Sequence, residues 1–475
     1  MTIRSGKRPG DQRIRVELVK PQEYHAPVSR GIRRPPPSPA IVLIVGFLVL
    51  IAIGTVLLTL PIASASGAWT PTIVALFTST SAVCVTGLVV VDTGTYWSPF
   101  GQTVILGLIQ VGGFGFMTGS TLLLFLLVGR RTGLRDRILV QASTGVPDLG
   151  SVTAVVRQVA TFTILVEAGG AILLTLAFFA SGDTPLRAVT SGVFHAISAF
   201  NNAGFDIMGD FRSLTDYVVN PFVLAVVGTL LVTGGLGFAI VGDAIGKRRW
   251  QRLALETKVV LLTSAALLIG GMAMIGGLEW SNPATLGALE PADRVVNALF
   301  MSASGRTAGF NTIDTGALVE ATLIVVIALM FIGGASGSTA GGIKVNTFSL
   351  LLIAIVSTAR GDPSASAFGR RIPHIVVYRA ISVVLLSIAG AFVVGLGLEL
   401  SSGGTLIDRA FETISALGTV GLSTGLTPTL SDPARLLVIA SMFVGRLGPL
   451  TLVLALTARA RPVSHRPAIE SMRIG

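Results

Sequence analysis

Apolar residues gather along this chain into long runs, not into the alternating or heptad patterns of soluble elements. The runs lie at about 40–62, 101–128, 152–180, 219–245, 257–278, 318–357, 374–400 and 433–457, with polar or basic stretches between them. A helix that crosses a bilayer needs about twenty apolar residues, so these eight runs predict eight spans. Four shorter half-apolar segments, 71–83, 186–199, 292–304 and 406–418, fall between them. Each has about thirteen residues, too few to span, which fits re-entrant helices or helices lying on the outer surface. Thr70-Pro71, Thr184-Pro185 and the stretch "EPADR" at 290–294 are helix-start signals, a cap followed by proline in the first turn.

A repeat underlies this order. Each short segment runs into a small-residue stretch: "CVTGLVVVDT", "NNAGFDIMGD", "RTAGFNTIDT" and "TVGLSTGLT". Their glycines, Gly87, Gly204, Gly309 and Gly421, are spaced by 117, 105 and 112 residues. Each following long run carries a second motif, "GGFG" at 112–115, "GGLG" at 234–237, "GGAS" at 333–336 and "GRLG" at 445–448. One unit is therefore long helix, short helix, glycine turn, long helix, and four units occur in one chain. The short helices direct the partial negative charge of their C-termini toward the glycine turns. Four such ends converging on one axis favour a cation, and glycine lets backbone carbonyls crowd that axis. Irregular backbone at membrane depth is tolerated where it lines a watery cavity.

Charge and composition sharpen this picture. Of 475 residues 51% are hydrophobic and only 12% charged, and the mean hydropathy is +0.78; a soluble domain carries about a quarter charged residues. Of the 35 Lys and Arg residues, 27 fall in the first 39 residues, the C-terminal tail and every second loop. The positive-inside rule then places both termini in the cytoplasm and the short segments outside. The net charge of +11 reads as a topology signal with some attraction to anionic lipid, not as a nucleic-acid footprint. The apolar run after the tail is too long for a signal peptide. A single cysteine excludes an internal disulfide framework, and four unclustered histidines argue against a transition-metal site. The chain shows no clustered nucleophile and base for a membrane enzyme. A secondary cation transporter with alternating access would be built from two inverted halves, which four units of one orientation do not match.

The stretches "TSAVCVTGLVVVDT", "FHAISAFNNAGFD", "SGRTAGFNT" and "ISALGTVGLSTG", with "GGASGSTAGGIK" and "MFVGRLGPLTL", resemble the Trk/Ktr/HKT superfamily of cation transporters over residues 40–457. The eight-span length resembles the Ktr branch. The resemblance implies an all-α integral membrane fold in which four M1–P-loop–M2 units, eight spans plus four re-entrant pore helices, surround one central pore. It divides the chain into a disordered basic tail at 1–39, units at 40–137, 138–252, 253–371 and 372–459, and a C-terminal tail at 460–475. It implies passage of K+, with or without stimulation by Na+, through a filter at Cys84, Val85, Thr86, Gly87, Asn202, Ala203, Gly204, Thr307, Ala308, Gly309, Thr419, Val420 and Gly421. With Gly87 in the first unit, where some plant relatives carry serine and favour sodium, it implies potassium preference. It also implies a homodimer in a bacterial plasma membrane and a separately encoded ring of nucleotide-binding RCK subunits; no dinucleotide fingerprint occurs in this chain.

Cys84 departs from the threonine expected there, and could pack behind the filter or face the pore. Asp92, Asp206 and Asp314 follow their glycines closely and form either an acidic outer mouth or ordinary solvated loop acids. His195 is expected to be a packing histidine. Glu167 is an intramembrane charge whose partner the sequence does not reveal. Arg306 is expected to point away from the axis toward backbone groups. The sixth run contains "FIGGASGSTAGGIKV". Each helical glycine costs about 1 kcal/mol against alanine, so Gly333, Gly334, Gly337, Gly341 and Gly342 predict a break. Ser336, Ser338 and Thr339 can satisfy freed backbone groups there. The order of residues does not match a phosphate-binding loop. The break is expected to form a gate near the filter, with Lys344 and Arg446 as fixed charges at similar depth that either face the pathway or pair with carbonyls.

Overall fold

The computed structural model describes residues 39–129 and 152–448. The rest of the predicted basic tail, the basic loop after the second run, the end of the eighth run and the C-terminal tail lie outside the described residues. Five helices among those described are long and apolar enough to cross a membrane: Ile41–Thr59, Val156–Ala180, Pro221–Lys247, Leu255–Glu279 and His374–Ser401. We number the α-helices in chain order. The first long ones are α1 (Pro39–Thr59), α4 (Pro99–Gly129, 31 residues), α5 (Val152–Ala180), α7 (Pro221–Lys247) and α8 (Leu255–Glu279). The predicted sixth run is two helices, α10 (Glu320–Phe331) and α11 (Val345–Ala359). They are followed by α12 (His374–Ser401) and α14 (Asp432–Leu447).

The short segments are helices close to their expected bounds: α2 (Thr72–Cys84), α6 (Pro185–Phe200), α9 (Pro291–Ser304) and α13 (Leu406–Gly418). Proline occupies the first turn of α6 and α9, where its missing N–H costs nothing. The start of α2 comes one residue later than the sequence predicts, with Pro71 as its cap. Thr405 closes a capping box on α13, accepting from Asp408 N at 3.2 Å while Asp408 Oδ2 accepts from Thr405 N at 3.0 Å. A single turn, α3 (Thr93–Tyr96), follows the first glycine stretch, capped by Asp92. A two-residue antiparallel hairpin, Ser366–Ala367 with Arg370–Arg371, lies between α11 and α12.

Helix packing closes on itself. Each short helix packs on the long helix before it, and also on a long helix of the preceding unit: α6 on α4, α9 on α7, α13 on α10, and α2 on α14. The last pairing joins Asp432–Leu447 of the fourth unit to Thr72–Cys84 of the first. The long helices expose rows of large apolar side chains, among them Ile164, Ile172, Leu385, Phe392 and Leu396. The short helices are buried chiefly toward their C-termini, and α2 along most of its length. A hydrocarbon surround accounts for this inversion of the usual soluble pattern.

The second glycine motifs explain how the long helices come so close. A Cβ on Gly112 would lie 2.1 Å from Val83 O, one on Gly234 1.8 Å from Phe200 O, and one on Gly445 2.1 Å from Leu417 O. Each of those carbonyls is four residues before a turn glycine. The third unit departs from this pattern: a Cβ on Gly333 would meet Gly341 O at 2.0 Å, within its own loop.

Candidate functional site

The four predicted glycine turns meet. Gly87, Gly204, Gly309 and Gly421 all have left-handed backbones, with φ of 90°, 68°, 79° and 96°. A Cβ built on Gly87 would lie 2.4 Å from Ala203 O, one on Gly204 2.7 Å from Ala308 O, one on Gly309 2.4 Å from Val420 O, and one on Gly421 2.2 Å from Thr86 O. Each glycine thus abuts the carbonyl that precedes the next glycine, and the fourth returns to the first. A side chain at any of them meets both strain and backbone. Two residues earlier, Val85, Asn202, Thr307 and Thr419 are also left-handed, at 55°, 57°, 108° and 48°. Non-glycine residues rarely adopt this conformation, and where they do the surrounding structure holds them in it.

The short helices supply that support. Thr86 N donates to Ser81 O at 2.8 Å, Ala203 N to Ser198 O at 2.8 Å, Val420 N to Ser415 O at 2.9 Å, and Ala308 N to Ser304 O at 2.9 Å. Helices α2, α6, α9 and α13 end three to five residues before their glycines, so their negative C-terminal poles surround the ring. Twelve of the thirteen residues predicted for the filter are buried, and Gly421 is half-buried. Cys84 is the last residue of α2 and belongs to an apolar cluster with Phe77, Val83 and Ile105, which favours the packing role over a pore-facing thiol.

Asp92, Asp206 and Asp314 line one open vestibule of about 1050 Å³ together with the four glycines. Their carboxylates also shape the loops. Asp92 accepts from Thr95 N and Thr95 Oγ1 at 2.7 Å and from Phe211 N at 2.6 Å. Asp206 accepts from Met208 N at 3.1 Å, and Asp314 from Gly316 N at 2.9 Å. In the turn beyond the ring, burial, with a smaller push from Asp92, raises the Asp206 carboxyl to about 7. All three acids therefore brace their own loops and line one shared vestibule.

Residues 332–344 form the predicted break. Ile332 and Ile343 pair as a parallel bridge, Gly333 N donates to Ile343 O at 2.8 Å, and Val345 N donates to Gly334 O at 3.0 Å. The two helix ends are therefore pinned together and the intervening chain forms a closed loop. Gly337 and Gly342 turn it with φ of 77° and 63°. Ser338 Oγ donates to Ala335 O at 2.7 Å, and Ser336 N donates to Asn346 Oδ1 at 2.9 Å. The loop lies against the second and fourth units. Ala335 N donates to Gly235 O at 2.8 Å and Thr339 N to Gly234 O at 3.3 Å. Gly237, left-handed inside α7, kinks that helix where it meets Ser338. Gly341 abuts the Thr419 side chain. Both predicted charges meet loop carbonyls: Arg446 Nη1 donates to Thr339 O, and Lys344 Nζ donates to Ala340 O.

The remaining sequence expectations resolve simply. Arg306 donates to Ser264 O at 3.3 Å, Ser264 Oγ at 3.4 Å and Gly333 O at 3.4 Å, away from the glycine ring. His195 is fully buried against Phe178, Phe194 and Phe310, with Nδ1 2.7 Å from Ser191 O. Glu167 accepts from Gln110 Nε2 at 3.0 Å and Asn201 Nδ2 at 2.9 Å, so its partners are neutral amides. Two buried acids escape the sequence reading. Glu412 accepts from Ser423 Oγ, from Thr424 N at 3.2 Å and from Thr427 Oγ1 at 2.6 Å, which braces the chain leaving the fourth turn. Glu279 accepts from Asn282 Nδ2, Thr285 Oγ1 and Val319 N at 2.6–2.9 Å. Among the described residues no group of three His, Cys, Asp or Glu is arranged to hold a metal.

Long apolar helices around a closed ring of backbone turns define a helical membrane protein with a cation-favouring centre. The comparisons with known proteins fit that class. A family model described as TrkH, cation transport protein, matches residues 18–461. The chain is 42% identical over 434 residues to the Ktr system potassium uptake protein B of Bacillus subtilis, covering 90% of this chain and 94% of that one. It is 37% identical over 446 residues to the potassium/sodium uptake protein NtpJ of Enterococcus hirae, covering 92% and 97%. The crystal structure of the potassium transporter TrkH from Vibrio parahaemolyticus shares the fold, with a TM-score of 0.69, 20% identity, and coverage of 90% and 86%. The chain belongs to the Trk/Ktr/HKT superfamily of cation transporters.

Proposed function

We propose that this chain is the ion-translocating subunit of a bacterial potassium uptake system. Its helices form four M1–P-loop–M2 units around one pore, and K+ passes through the ring of Gly87, Gly204, Gly309 and Gly421 and the residues before each. The observation that carries this reading is the closure of the ring: each glycine lies against a neighbour's carbonyl, and the fourth meets the first. Backbone oxygens held this close can replace the hydration shell of a desolvated cation, and the surrounding helix poles reinforce them. The three aspartates of the vestibule raise the local concentration of cations. Residues 333–344 are the gate, held beneath the filter by Arg446. The names of the B. subtilis and E. hirae relatives support potassium as the cargo, and the latter supports a role for sodium. On this reading both termini are cytoplasmic, the chain pairs as a homodimer, and a separate ring of RCK subunits moves the gate.

Growth in limiting potassium tests this proposal. A strain lacking its own potassium uptake systems should grow at low millimolar or micromolar K+ when it expresses this chain, and grow best with an RCK partner co-expressed. Failure to restore growth or K+ uptake, with the chain present in the membrane, would refute it.

A further inference from the structure

The four turns are not braced alike. In the first and fourth, a serine of the short helix holds the glycine directly: Gly87 N donates to Ser81 Oγ and Gly421 N to Ser415 Oγ, both at 3.1 Å. In the second, the matching Ser198 donates instead to Phe205 O at 2.6 Å, and in the third Ser304 donates to Phe310 O. The gate loop reaches those two turns. Thr339, fully buried, donates through Oγ1 to Phe200 O at 3.2 Å, and the same oxygen lies 2.9 Å from the side-chain amide of Asn202. Phe200 is the last residue of α6. Gly333 O, at the loop's neck, accepts from Arg306, next to the strained Thr307.

We infer that Thr339 is a positioning residue for the ion filter as well as part of the gate, so that ion selectivity depends on where the loop sits. This rests on the filter and gate reading proposed above. A loop that only plugs a pore changes how many ions pass. A loop that also supplies the hydrogen bonds of the second turn, and accepts one from the third, changes which ions pass when it moves. Buried polar groups left unpaired shift to recover partners; when Thr339 withdraws, the turn at Asn202 keeps its backbone bonds to Ala199 O and Ser198 O but its side chain loses the hydroxyl that fixes it.

The test uses the full-length chain in proteoliposomes, with K+ and Na+ uptake measured separately. Thr339→Val keeps the shape and removes the hydroxyl. It should lower the ratio of K+ to Na+ uptake about fivefold, the effect of one lost buried hydrogen bond, while Thr339→Ser retains the ratio. Gly87→Ser serves as the control for the filter. An unchanged ratio in Thr339→Val alongside a lowered ratio in Gly87→Ser overturns the inference and leaves the filter standing. An unchanged ratio in both overturns the filter reading and the inference with it. Hydrogen exchange on the unaltered protein gives a second readout that no folding defect can confound. Because coupling between two sites is reciprocal, K+ should slow amide exchange at 337–342 relative to choline, and equal rates would overturn the inference.

Discussion

The glycine ring and the loop at 332–344 use the same backbone device to opposite ends. In the ring, four glycines let four segments from distant parts of the chain approach one point, and the contacts repeat from unit to unit. In the loop, glycines let one segment fold onto itself, Gly333 against Gly341, and the contacts occur once. Units one, two and four spend their second glycine motif on packing a long helix against the end of a short one. Unit three spends it on a neck. Close backbone approach is thus a neutral resource: repeated around an axis it makes a closed ring, and withheld from one quarter it frees that quarter to become a separate part.

Three experiments would break or sharpen this contrast. The largest effect is expected from Gly421→Ala. Its Cβ would lie 2.2 Å from Thr86 O at a φ of 96°, and backbone strain of this kind alone costs about 1–3 kcal/mol. K+ uptake should fall by more than about tenfold, the equivalent of about 1.4 kcal/mol, whereas Gly107→Ala, with open space around it, should leave uptake unchanged. Uptake that survives the ring substitution would remove the ring from the pathway. Next in size is deletion of residues 336–341, which removes the body of the loop and leaves the neck that pairs Ile332 with Ile343. K+ uptake should rise severalfold and lose its dependence on the RCK partner; the same flux from a well-folded deletion protein would mean the loop is not a gate.

The smallest effect concerns the mouth. Asp206 carries its charge above pH about 7 and loses it below. Lowering the external pH from about 8 to about 6 should therefore weaken uptake at subsaturating K+ by roughly twofold, as expected for one charge acting across several ångströms of water. Asp206→Asn should abolish that pH dependence and show the low-pH rate throughout. A wild-type rate that is flat over this range would exclude a cation-gathering role for the acid.

Much of this was legible in the sequence, for identifiable physical reasons. Span-length apolar runs have no other use in a chain with so few charges, so the long helices were readable, and the thirteen-residue segments stood out by being too short. The glycines were readable because they recur at a fixed place in each unit. The break at 332–344 was readable because five glycines and no caps cannot sustain a helix. What escaped are contacts with no local signature. Gln110 and Glu167 lie on different helices and Asn201 caps the end of a third, and no spacing connects them. Glu412 reads as an ordinary amphipathic-helix acid until the return of the chain brings Ser423, Thr424 and Thr427 onto it. The kink at Gly237 is one of many glycines in apolar helices, distinguished only by the loop that packs there.

The third unit also differs in a way that counting reveals once the geometry is known. A Ser-Ala pair precedes every ring glycine, at Ser81, Ser198, Ser302 and Ser415. Serine and glycine are six residues apart in three units and seven in the third. The added residue lengthens the turn that carries Arg306 and Thr307, and it lies beside the loop's neck. The departure from symmetry therefore begins upstream of the loop itself.

The ring is closed by one polypeptide: its last long helix packs on its first short one. In a ring built by four identical chains a single mutation is copied into every quarter at once. Here it alters one quarter and leaves three untouched. Heredity can consequently explore this ring one quarter at a time, and the extra residue and the loop of the third unit are what such separate exploration can leave behind.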